Sequence, residues 1–155
     1  MTDEPQDNPA DLTEYLSFRI GAQEYTVDIM SVREIRGWTE ATPLPHAPEY
    51  VRGVINLRGT VLPIVDLAAR LALPPDEGND RSVVIVVQQN GETVGLLVDA
   101  VSDILTIARS DLQTPPDMAA DNQHRFVSAL IIEDDRMIRV LDLQSTLTTG
   151  ETIAA

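Results

Sequence analysis

Two aspartates stand in matching surroundings, Asp66 in LPIVDLAARL and Asp142 in IRVLDLQSTL. Carboxylates brought together by a duplicated fold can share one proton and work as acid and base, as in an aspartic-protease-like dyad. Such an aspartate sits in a loop of small residues, typically Asp-Thr-Gly. Here Leu and a helix-forming stretch follow each one, so helix N-capping accounts for both better than catalysis. His46 lies among prolines and His124 in a polar loop, without a paired acid or a second His at metal spacing. Glu133, Asp134 and Asp135 fall at a hairpin turn, where solvated charge is ordinary. Gly53 to Gly59 has neither the glycine spacing nor the Lys-Ser/Thr of a phosphate loop. With no cysteine there is no thiolate nucleophile, disulfide or zinc-thiolate site. The residues predict no catalytic constellation, no metal and no cofactor.

The stretch that organises the chain is RGVINLRGTVLPIVDL, Arg52 to Leu67. Two apolar, β-branched runs flank Arg58-Gly59, which reads as a β-hairpin with glycine at the turn position that needs positive φ. Arg58 is then displayed at the tip. Before it, alternation from Leu16 to Ile20, a turn over residues 21–24, and Tyr25 and Val27 predict a first hairpin. From Asp28 the period changes: Ile29, Val32 and Ile35 fall at helical spacing, Asp28 or Ser31 caps the start, and Gly37 ends a helix of at most two turns. Pro43, Pro45 and Pro48 make residues 39–48 an extended connector. After the central hairpin, Asp66 caps a brief helix stopped by Pro74 and Pro75, and residues 72–80 are a polar loop.

Ser82 to Val87 reads as a buried strand, Asn90-Gly91 as a type I′ turn, and Val94 to Val98 as the return. Val101 to Ile107 alternates. The segment 109–123, with Pro115-Pro116, is polar. Phe126 to Ile132 and Met137 to Leu141 form a last hairpin, and Asp142 caps a final short helix. The order hairpin, V-x-acid-I, hairpin, Asp-Leu thus occurs twice, with Val32-Arg33-Glu34-Ile35 echoed by Val101-Ser102-Asp103-Ile104. Two similar five-stranded barrels, each needing the other's surface to complete a core, explain the echo.

At 155 residues and 43% hydrophobic, the chain suits one compact unit or two very small ones sharing a core. Aspartate and glutamate number 25 against 11 basic residues, all arginine, for a formal net charge of -14. That surface, with six aromatics, opposes a nucleic-acid-binding small barrel and anionic membranes. Residues 1–13 read as a disordered acidic tail, with no basic and apolar secretory pattern, and residues 150–155 as a flexible C-terminus. The apolar runs fall far short of the roughly 20 residues that span a bilayer.

These motifs in order, VREIRG (Val32 to Gly37), GVINLRG (Gly53 to Gly59), V-x-P-I-V-D-L (Val61 to Leu67), VVIV (Val83 to Val86) and GLLVDAV (Gly95 to Val101), resemble the CheW family of chemotaxis coupling proteins. The resemblance covers about residues 14–147. It implies an all-β fold with short helices, two interlocked five-stranded SH3-like β-barrel subdomains within a single domain at 14–149, and no catalytic activity. It also implies a cytoplasmic adaptor recruited to membrane-associated receptor arrays. The partners it implies are a chemoreceptor's cytoplasmic tip, the regulatory domain of the CheA histidine kinase and other copies of the adaptor, with no nucleic acid and no membrane insertion. Family positions place receptor contact at Val32 and Glu34, extend it through neighbouring Ile35, and put a functionally sensitive arginine at Arg58. A Glu34 to Arg58 ion pair is expected, and Gly53, Gly59 and Gly95 are read as structural glycines near that surface. Kinase contacts are unassigned. A scaffold of a non-motility chemosensory pathway, built from the same parts, is the alternative reading.

Overall fold

The computed structural model describes residues 11–38, 40–71, 73, 83–114 and 126–147. Expectations for residues 1–10, most of the 72–80 loop, Ser82, Pro115-Pro116, His124 and residues 150–155 fall outside the described residues. Among the described residues, eleven strands and two short α-helices follow in order: β1 (Leu12–Ile20), β2 (Gln23–Asp28), β3 (Val32–Gly37), β4 (Val51–Leu57), β5 (Thr60–Asp66), α1 (Leu67–Arg70), β6 (Val83–Gln89), β7 (Glu92–Val98), β8 (Ala100–Ala108), β9 (Leu112–Gln113), β10 (Val127–Glu133), β11 (Arg136–Leu141) and α2 (Leu143–Leu147). The first strand begins at Leu12, inside the 1–13 stretch read as a disordered tail, so Leu12 and Thr13 belong to the fold.

The turns form where residue chemistry allows them. Asn90 and Gly91 take φ of 55° and 83°, and Arg58 and Gly59 take 53° and 86°, so both hairpins turn through two consecutive left-handed residues. Asp28 accepts a hydrogen bond from the Met30 amide and caps a 3₁₀ turn at Ile29–Ser31. Helix α1 is capped by Asp66, whose Oδ1 accepts from the Ala69 amide at 3.4 Å, and α2 by Asp142, which accepts from the Ser145 amide at 3.2 Å.

Two sheets result, with strand orders β8-β1-β2-β11-β10-β9 and β3-β6-β7-β5-β4. The sheet expected to have five strands on each side has six on the first, because the two-residue β9 adds to β10. The halves exchange parts. Hairpin β1-β2 is bordered by β8 and, through a parallel β2-β11 pairing, by hairpin β10-β11. Hairpin β6-β7 is bordered by β3 and, through a parallel β7-β5 pairing, by hairpin β4-β5. Each barrel therefore takes one hairpin from one half of the sequence and the remaining strands from the other. Tyr15, Ile107, Ile131, Ile138 and Val140 fill the first barrel, and Leu62, Ile64, Val84, Val86 and Leu97 the second. A larger cluster from both sheets and both helices, including Phe18, Tyr25, Leu67, Ile85, Leu96 and Leu143, lies between them.

One expectation is overturned. Val32 to Gly37 is a strand, and only Ile29–Ser31 is helical. The three-residue step from Val32 to Ile35 comes from a β-bulge: Val32 lies opposite Val87 and Ile35 opposite Ile85, so three steps on β3 match two on β6. A bulge inserts one residue and returns both apolar side chains to one face, which imitates a helical period. The same device recurs on β8. Val101 lies opposite Phe18 and Ile104 opposite Leu16, again three steps against two. The V-x-acid-I echo is thus the signature of one bulge used twice, and the sequence repeat is a structural one.

Candidate functional surface

The bulge decides where Glu34 points. Paired with Val86, it shares the inner face of the second barrel and emerges at the barrel's mouth, beside the β4-β5 tip. Arg58 Nη2 donates to Glu34 Oε1 at 2.7 Å, and Arg36 Nη1 donates to Glu34 Oε2 at 3.0 Å. Arg58 and Arg36, in that order of effect, hold the Glu34 carboxyl below the usual carboxylate range. The Arg58 side chain is 68% exposed while Glu34 is 27% exposed, so the acid anchors and the guanidinium remains accessible. Below the tip, Asn56 Oδ1 accepts from the Gly59 amide at 2.8 Å, which fixes the turn that carries Arg58.

Val32 and Ile35 share the strand's other face. Val32 packs against the central core, whereas Ile35 is 47% exposed. Val61, on β5 just beyond the tip, is exposed as well. The site residues read from sequence thus divide: Glu34 and Arg58 form one ion-paired unit, Ile35 offers apolar surface from the opposite face of β3, and Val32 is mainly a packing residue. Arg36 was missed, since two-residue alternation on a strand, the signal that pairs it with Glu34, is invisible under a helical reading. Arg33, which donates to Gln88 Oε1, was missed for the same reason.

The glycines do different jobs. Gly53 takes φ of 143°, and a Cβ there would collide with the Thr42 carbonyl, whose oxygen accepts from the Val54 amide at 2.9 Å. Gly59 sits in open space at the tip. Gly95 is ordinary in backbone, but a Cβ would lie 2.7 Å from Ile64 Cδ1 and 2.8 Å from Val84 Cγ1, inside the second barrel.

The two repeated aspartates are engaged locally. Besides its cap, Asp66 accepts from Arg52 Nε at 3.2 Å, and Asp142 Oδ2 accepts from the Ser145 hydroxyl at 3.0 Å. Between the helices, Arg70 stacks on Tyr50 and Phe126, 4.7 and 4.6 Å from the ring centroids, and donates to the Thr146 carbonyl at 2.7 Å. That clamp ties the end of one half to the end of the other. His46 is exposed at a positive φ of 66°. Among the described residues, no three His, Cys, Asp or Glu side chains gather as metal ligands, and no helix is long and apolar enough to cross a membrane.

A duplicated pair of interlocked barrels presenting an anchored cation and strand-borne apolar side chains is a binding scaffold. Comparison with known proteins gives its family: residues 14–151 match the CheW-like domain, and the chain belongs to that family. It is 54% identical over 142 residues to a chemotaxis protein CheW of Rhizobium meliloti (strain 1021), covering 92% of each chain. It is 33% identical over 138 residues to the chemotaxis protein CheW of Klebsiella aerogenes, covering 89% of this chain and 83% of that one. The crystal structure of the scaffolding protein TtCheW from Thermoanaerobacter tengcongensis superposes with a TM-score of 0.83 at 29% identity, over 91% of this chain and 92% of that one. As a member of this family the chain is a non-catalytic chemotaxis adaptor.

Proposed function

We propose that this adaptor couples transmembrane chemoreceptors to a CheA-type histidine kinase, and that it meets the receptor with the surface around Val32, Glu34, Ile35 and Arg58. The observation that carries the reading is the exposed Arg58 guanidinium, anchored by Glu34 at 2.7 Å on a hairpin tip. A planar fork of donors held by a carboxylate is ready to engage a helix carbonyl or acid, and Ile35 adds apolar area for an amphipathic helical partner. The protein acts in the cytoplasm, recruited to membrane-associated arrays. It holds receptor and kinase in register, so that a receptor state favouring one adaptor arrangement biases the kinase.

The test is separate titration against a chemoreceptor cytoplasmic-tip fragment and a CheA regulatory domain, with Arg58→Glu alongside. Arg58→Glu should change folding stability by less than about 0.5 kcal/mol, as exposed substitutions do, and weaken receptor binding about tenfold or more, as loss of a central interface arginine does. Binding to neither partner overturns the proposal. Glu34→Arg combined with Arg58→Glu should recover part of the lost receptor affinity; no coupling in that cycle would remove the pair from the mechanism.

A further inference from the structure

We propose that Arg36 is a positioning residue for the receptor contact: it takes over Glu34 when Arg58 leaves the pair for an acceptor on the partner. The inference rests on the reading that Arg58 meets the receptor. Glu34 divides its two oxygens between two arginines, Oε1 to Arg58 Nη2 at 2.7 Å and Oε2 to Arg36 Nη1 at 3.0 Å. Two guanidinium groups thus face one carboxylate, a local excess of one positive charge in a chain of formal charge -14. The three are not held alike. Glu34 and Arg36 lie two residues apart on β3, in fixed register opposite Val86 and Val84 of β6. Arg58 reaches them from a hairpin tip and is the most exposed of the three, so it is the member a partner can draw away.

Arg36 is incompletely bonded. Its Nε is buried and, among the described residues, finds no acceptor; its one hydrogen bond runs from Nη1. A buried donor without an acceptor costs stability, and a native structure that keeps one calls for a reason. The reason here is the division of Glu34, which gives Arg36 a single oxygen while Arg58 holds the other. An arginine can also grip a carboxylate with two parallel bonds from Nε and Nη2. Once Arg58 departs, Glu34 is free to turn to that edge. The handover satisfies the orphaned Nε–H and keeps Glu34 neutralised, so no unpaired carboxylate is left on the inner face of the barrel. Arg58 then leaves at small cost. Arg36 acts through Glu34 and need not touch the partner.

Proton–nitrogen NMR of the arginine Nε–H groups tests the handover in the full chain without any partner. The Arg36 signal is assigned by its loss in Arg36→Lys or, if that variant fails to fold, by coupling along its own side chain. The Arg33 signal, whose Nε donates to Gln88 Oε1 at 2.8 Å on the same strand, is the reference. In Arg58→Gln the Arg36 Nε–H should move downfield and exchange with water about tenfold more slowly, as a new bond to a charged acceptor requires, with Arg33 unchanged. An Arg36 signal that keeps its position and exchange rate in Arg58→Gln overturns the proposal. Saturating the native chain with a chemoreceptor cytoplasmic-tip fragment should produce the same change. Arg36→Lys keeps the charge and loses the Nε donor; it should bind the fragment about three- to tenfold more weakly, and that loss should vanish in the Arg58→Gln background. Equal weakening in both backgrounds overturns the proposal, because Arg36 would then act independently of Arg58. A fragment that binds no version of the chain ends the receptor reading and with it the role of Arg36 in that contact, while the Arg58→Gln spectrum still reports whether Glu34 changes hands.

Discussion

The two barrels share a frame and differ in what fills it. In the second barrel Val86 and Gly95 pair across β6 and β7, and the core residues packed around them, Leu62, Ile64, Val84 and Leu97, are apolar. The corresponding pair in the first barrel, by register against β1, β2 and β11, is Ser17 and Thr26, both fully buried. There the Ser17 hydroxyl donates to Glu24 Oε2 at 2.6 Å, and Thr26 donates to the Arg139 carbonyl at 3.3 Å. The hairpin tips also differ in sign, Arg58-Gly59 in one barrel and Asp134-Asp135 in the other. Duplication has kept the backbone pairings and the bulges, which set the fold, and let the barrel contents and tip charges diverge. One barrel carries its cation on an exposed tip, and the other holds Arg136 against Glu24 at a polar mouth.

The largest effect expected from testing that comparison is at the edge of the β4-β5 hairpin. Gly53 lies opposite Ile64, and its counterpart Ala129 lies opposite Val140, each just past a bulge. Among the described residues only Gly53 meets a connector: the Thr42–Val54 bridge, with hydrogen bonds of 2.8 and 2.9 Å, passes over it. Gly53→Ala must accept a strained φ and displace the bridge, at about 3 kcal/mol or more. Ala129→Gly should cost about 1 kcal/mol or less. Chemical denaturation measures both, and equal costs would mean that the connector imposes nothing on its barrel.

Exchange of the barrel contents comes next. Gly95→Thr places the first barrel's residue in the second, where a Cβ already falls within 2.8 Å of Ile64 and Val84 side-chain atoms. Overpacking of this kind costs about 1–3 kcal/mol. The reverse change, Thr26→Gly, removes a buried side chain and frees the backbone, at about 1–2 kcal/mol. If Gly95→Thr is neutral by thermal or urea unfolding, the second barrel has room that the static packing does not suggest.

Much of this frame could be read from the residues because its signals are local. Asn90-Gly91 and Arg58-Gly59 announce their turns by what glycine and asparagine tolerate, Asp66 and Asp142 announce helix starts, and the paired echoes announce a repeat. The strand at Val32 was misread because a bulge restores one face after three residues, the same step a helix uses. Exchange of strands between halves has no local signature, since β3 pairs with β6 and β8 with β1 across long stretches of chain. The candidate sites divide in the same way. Arg58 and Glu34 were readable from motifs, whereas Arg36 depended on knowing the strand.

The smallest effect expected separates the two anchoring glutamates by pH. Burial pushes the Glu24 carboxyl up, but hydrogen bonds from Ser17 and Arg136 and the charge of Arg136 together outweigh it and hold the group below its ordinary range. A carboxyl with a lower pKa folded than unfolded stabilises the native state above the unfolded value, about 4.3. That contribution disappears as pH falls through the folded-state value. Glu34 is shifted the same way by Arg58 and Arg36, yet it is more open to solvent, where screening weakens ion pairs. Urea midpoints for the native chain, Glu24→Gln and Glu34→Gln should therefore show a gap from the native chain at pH 7 that narrows toward pH 3. The gap should be wider for Glu24→Gln. Equal gaps for the two variants would mean that the polar interior of the first barrel adds nothing to the ion pair at its mouth, and the two barrels would then differ in composition alone.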